Sequence, residues 1–68
     1  MTPMMITIVD TLKENGGAAT WSQLREGISE KHQVKNWLTG PRAHLQSLIN
    51  EGVIIRADSI KYEVYQLN

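Results

Sequence analysis

The stretch Gly40-Pro41-Arg42-Ala43-His44-Leu45-Gln46-Ser47-Leu48-Ile49-Asn50-Glu51-Gly52-Val53-Ile54 sets a helix between two breakers and opens a strand after the second. Pro41 cannot continue a helix arriving from upstream, because its ring clashes with the carbonyl four residues back and disfavours helical geometry at Gly40. It suits the first position of a new helix, with Thr39 nearby as a capping residue. Leu45, Leu48 and Ile49 then fall on one stripe. At about 100° per residue, Ala43, Gln46, Ser47 and Asn50 fall on the other side and Arg42 lies at the flank. Gly52 is placed to end the helix, since glycine readily takes the left-handed conformation found there.

Downstream of Gly52, Val53, Ile55 and Ala57 alternate with Ile54 and Arg56, the period of a strand. A second strand is expected from Ile60 to about Gln66. A two-residue turn at Asp58-Ser59 pairs Ala57 with Ile60, Ile55 with Tyr62 and Val53 with Val64, which gathers six apolar residues on one face. This register makes Tyr62 a core residue, turns Tyr65 outward, and sets Arg56 across from Lys61, a like-charge pair that an anion or a carboxylate would relieve. Asp-Ser is a weaker turn signal than Asn-Gly, so a longer loop with another register stays open.

Upstream, Thr2-Pro3 has the form of a helix start, and Met5, Ile8, Val9 and Leu12 follow at helical spacing. The β-branched run Ile6-Thr7-Ile8-Val9 is also compatible with a strand. Asn15-Gly16-Gly17 closes the segment. Ala18-Ala19-Thr20 is long enough only for a short strand, and Thr20-Trp21-Ser22-Gln23 fits a capping box that begins a second helix. Trp21, Leu24 and Ile28 share its inner face, while Gln23, Arg25, Glu26 and Glu30 point outward. From Lys31 to Thr39 an irregular or single-turn connection is expected, with Trp37 in the core.

Sixty-eight residues hold one domain with a small core. The chain has no cysteine, so neither a disulfide framework nor a thiolate zinc site stabilises it, and a reducing, cytoplasmic setting is expected. No apolar run approaches the roughly 20 residues that span a bilayer, and Met4 to Val9 lacks the features of a signal peptide, so no membrane partner is expected. Seven basic residues balance seven acidic ones. Their distribution is uneven: from Lys31 to Asn50 there is no acidic side chain, while Lys31, Lys35, Arg42, His32 and His44 all fall there.

The order helix, short strand, helix, helix, two-stranded hairpin resembles the winged helix-turn-helix family. The segment from Pro41 to Ile54 is similar to that family's recognition helix and first wing strand, and Ala18 to Leu24 to its short strand and second helix. The expected fold class is therefore α+β, a small winged helix over residues 1–68. The resemblance implies a double-stranded DNA partner, with the third helix in the major groove and the hairpin against the adjacent backbone or minor groove. It equally includes members that bind only proteins. On the DNA reading the protein is a transcriptional regulator or a replication accessory factor. Ala43, Gln46, Ser47 and Asn50 then face the groove, where Asn and Gln pair with adenine, and Arg42 takes a phosphate or a guanine. Lys31 and Lys35 before the helix, and Arg56 and Lys61 on the wing, meet phosphates. With so few cations, specificity calls for a homodimer on two half-sites.

The rival expectation is a protein interaction module of the same fold, in keeping with the neutral charge. Two histidines are too few for a metal site and read as surface groups. Paired carboxylates, an activated serine and a glycine-rich phosphate loop are all missing from the pattern, so neither catalysis nor a cofactor is expected.

Overall fold

The computed structural model describes residues 1–68, and the chain runs α1 (Pro3–Glu14), β1 (Ala18–Thr20), α2 (Trp21–Lys31), α3 (Pro41–Asn50), β2 (Ile54–Arg56) and β3 (Val64–Leu67). It is an α+β fold of three helices and one three-stranded antiparallel sheet in the order β1-β3-β2. No helix is long and apolar enough to cross a membrane.

Each helix begins and ends where local chemistry dictates. Thr2 Oγ1 accepts from the Met5 N–H at 3.2 Å, and Pro3 occupies the first turn of α1. At α2 the capping box is complete: Thr20 Oγ1 accepts from the Gln23 N–H at 3.2 Å, and Gln23 Oε1 accepts from the Thr20 N–H at 2.9 Å. Two backbone amides are satisfied reciprocally at one helix end. The chain breaks at Gly40-Pro41 and α3 starts anew there, but its cap is Gly40, with no side-chain bond from Thr39. Asn36 organises the approach instead, its Oδ1 accepting from the Leu38 and Thr39 amides. Gly52, at φ 79°, ends α3 in the left-handed region.

Ile8, Val9, Leu12, Ala19, Leu24, Ile28, Leu45, Leu48, Ile54 and Tyr65 form one core. Two threonines are buried with them. Thr7 Oγ1 donates to Pro3 O at 3.1 Å and Thr11 Oγ1 to Thr7 O at 2.8 Å, so a helix carbonyl absorbs each hydroxyl. Trp21 and Trp37, expected in the core, are half-buried at its edge, where their rings meet edge to face with centroids 5.9 Å apart.

The hairpin departs from the expected register. Ile55 lies opposite Gln66 rather than Tyr62, and Arg56 lies opposite Tyr65 rather than Lys61. The turn at Asp58-Ser59 is replaced by a loop over residues 57–63, and β3 starts only at Val64. Side chains fasten that loop: Asp58 Oδ1 accepts from the Val64 N–H, and Ser59 Oγ from the Tyr62 N–H, both at 3.0 Å. The faces also exchange. Ile54 and Tyr65 pack inward, while Ile55 is exposed, Ile60 is fully exposed and Tyr62 is 60% exposed. Tyr65 takes the inward place, and its hydroxyl finds a carboxylate there, Glu63.

Candidate functional site

α3 presents the side expected of it. Leu45 and Leu48 are buried and Ile49 half-buried, while Ala43, Gln46 and Asn50 are exposed and Ser47 is half-buried beside them. Gln46 Nε2 donates to Asn50 Oδ1 at 3.0 Å, so the two amides form one hydrogen-bonded pair along the outer surface. No carboxylate stands among these four residues.

Between α3 and the hairpin runs a groove of about 280 Å³, lined by Leu38, Arg42, Ala43, Gln46, Ile49, Arg56 and Tyr65 among others. It brings together Arg42, Ala43, Gln46 and Arg56 of the expected site. Lys31, Lys35 and Lys61 are exposed and make no ion pair, and none lines this groove. Lys35 lines a separate depression with Asn36, Thr39, Gly40 and Pro41, ahead of α3.

Arg42 is held rather than free at the flank. Its Nη1 donates to Glu63 Oε2 at 2.8 Å, and its guanidinium lies 4.0 Å from the centre of the Trp21 ring. Arg56 donates from Nε to Asp58 Oδ2 at 2.9 Å, lies 5.3 Å from the Tyr65 ring, and places Nη2 3.8 Å from Glu63 Oε1. Glu63 therefore serves both arginines, and also accepts from the Tyr65 hydroxyl. The opposing Lys61 is replaced by carboxylates, so the like-charge strain does not arise.

Proton affinities follow this network. The Arg42 hydrogen bond, followed by that of Tyr65, holds the Glu63 carboxyl below its ordinary value against the opposing effect of burial. The Val64 amide, and then Arg56, lower Asp58. Burial first, and then the Glu63 carboxylate, push the Tyr65 phenol up to about 12.

Both histidines are half-buried rather than at the surface. His32 Nε2 donates to Thr7 Oγ1 at 2.7 Å, the hydroxyl hydrogen being committed to Pro3 O, and so ties the end of α2 to α1. His44 Nδ1 donates to Gly40 O at 2.8 Å and steadies the first turn of α3. A second groove, lined by Glu14, Glu26 and Glu30 with Thr11, Asn15, Gln23 and Gly27, lies where α1 meets α2. The negative surface is thus set at the carboxyl end of α1, whereas Thr2 and Met5 at its amino end adjoin Ala43, His44 and Ser47.

Glu63, Leu38 and the Trp21 platform escaped the sequence reading. Glu63 shares a face with Tyr65, the residue opposite Arg56, but its bond to Arg42 on α3 follows from no spacing rule. Comparison with known protein families, characterised proteins and solved structures finds no match to this chain.

Proposed function

We propose that this protein binds double-stranded DNA, laying the outer face of α3 in the major groove with the β2–β3 hairpin against the adjoining backbone, as the winged helix resemblance implies. The observation that carries this reading is the carboxylate-free face of exposed Ala43, Gln46 and Asn50 with half-buried Ser47 beside them. Short side chains let a helix approach base edges closely, and two carboxamides offer the paired donor and acceptor that adenine presents. Lys31, Lys35 and Lys61 supply phosphate contacts, and the acidic groove at the other end of α1 favours an orientation that keeps it away from the duplex. A single copy binds random duplex with a Kd on the order of 10⁻⁴ to 10⁻⁶ M at physiological salt, so a regulator or replication accessory factor of this kind acts as a homodimer on two half-sites.

Fluorescence anisotropy of a labelled duplex tests the reading. Ala43→Glu, which places a carboxylate on the exposed face, weakens binding by about tenfold or more, whereas Lys13→Glu on α1 has a smaller effect. Equal affinity of the wild type and Ala43→Glu overturns it.

A second reading, a protein interaction module, is favoured by Leu38 at 72% exposure together with Ile60 and Tyr62 on the hairpin loop. On that reading Ile60→Ser with Tyr62→Ser abolishes self-association measured by sedimentation, and Ala43→Glu leaves it unchanged.

A further inference from the structure

Arg42 and Arg56 come from different elements, yet both reach the same carboxylate. Each has a second anchor that does not depend on it. Arg42 is stacked on Trp21, and Arg56 is bonded to Asp58 and lies over Tyr65. The two guanidinium groups therefore keep their places when the carboxylate moves. Glu63 keeps its place in the backbone when its side chain turns, because its carbonyl accepts from the Trp21 N–H at 2.9 Å; the side chain is held by the two arginines and the Tyr65 hydroxyl alone and keeps 29% exposure at the surface. A carboxylate and a phosphate present the same pair of oxygens to a guanidinium fork.

We propose that Arg42 and Arg56 form a binding site for a backbone phosphate of DNA, and that in the free protein Glu63 fills this site as an internal stand-in. The inference rests on the DNA-binding reading and adds to it a specific anion site that the protein opens by swinging one side chain aside. The place suits the role: both arginines line the groove beside Ala43 and Gln46, so a strand followed by α3 passes them. It also accounts for a neutral charge balance, since Glu63 costs the protein affinity for phosphate surfaces in general and is displaced only when α3 makes its own contacts.

The test compares wild type, Glu63→Gln and Glu63→Asp, each confirmed folded by its NMR spectrum. Glutamine keeps an acceptor for Tyr65 but no charge, and aspartate keeps the charge. In a titration with inorganic phosphate, the Arg42 and Arg56 side-chain Nε–H signals of Glu63→Gln shift, while those of the wild type and Glu63→Asp stay in place. With duplex DNA, Glu63→Gln binds about five- to tenfold more tightly at low salt, and its log–log salt slope steepens by about one phosphate's worth. A purely structural ion pair predicts no phosphate response at the two arginines, whereas removal of a negative charge alone already tightens duplex binding somewhat. Equal phosphate responses in wild type and Glu63→Gln, or none in Glu63→Gln, overturn the site. Duplex binding through α3 with affinity and slope unaltered in Glu63→Gln refutes this inference while leaving the DNA reading intact. Phosphate capture by Glu63→Gln without any duplex binding refutes the DNA reading and leaves the anion site standing.

Discussion

Tyr65 is 1% exposed, and its hydroxyl donates to the Glu63 carboxylate. The folded protein therefore holds the phenol proton more tightly than the unfolded chain does, with the phenol at about 12 against an ordinary 10.0. A group displaced upward contributes its stability in full below the unfolded value and loses it as pH climbs from 10 to 12, a contribution on the order of 3 kcal/mol. Glu63 is displaced the other way. Its contribution is present above the ordinary carboxylate range and fades as pH falls through its lowered folded value. Tyr65→Phe should cost about 1 to 2 kcal/mol near neutrality and flatten the alkaline limb of a urea-denaturation series. An alkaline limb unchanged in Tyr65→Phe contradicts this assignment of the buried proton.

Among the elements, the crossing of α1 and α2 is set by an approach too close for a side chain. A Cβ built on Gly27 would stand 2.6 Å from both Cγ2 and Oγ1 of Thr11. Thr11 is buried and bonded to Thr7 O, so it has little room to give. Gly27→Ala gains helix propensity of up to about 1 kcal/mol and loses roughly 1 to 3 kcal/mol to overpacking, so it should destabilise by about 1 kcal/mol, read as a lower urea midpoint. A raised midpoint instead would show that the crossing relaxes freely. The helices themselves were legible in sequence. Caps at Thr2 and Thr20, the break at Gly40-Pro41 and the stripe of Leu45 and Leu48 are local features, and local chemistry decides them. The hairpin was not. Its register depends on Asp58 and Ser59 bonding back across a loop, and on the competition between Tyr62 and Tyr65 for the core. Period-two patterning fits either face, so apolar alternation could not choose between them.

At the scale of the whole molecule, the candidate site was partly legible for the same reason. Ala43, Gln46, Ser47 and Asn50 were placed by helical spacing alone. The partnership of Arg42 with Glu63 spans α3 and the end of the hairpin loop, and no spacing rule relates them. A neutral chain still segregates its charge, with Glu14, Glu26 and Glu30 around one groove and the acid-free face of α3 beside another. This arrangement predicts duplex binding that weakens with salt, with a slope set by its few phosphate contacts.

The most direct measurement is an amide NMR titration of the wild-type protein with random-sequence duplex DNA at low salt. The account predicts shifts concentrated at Arg42, Ala43, Gln46, Ser47 and Asn50, with Glu14, Glu26 and Glu30 silent. A titration that leaves Arg42 and Gln46 unperturbed, or perturbs only the acidic end of α1, contradicts it.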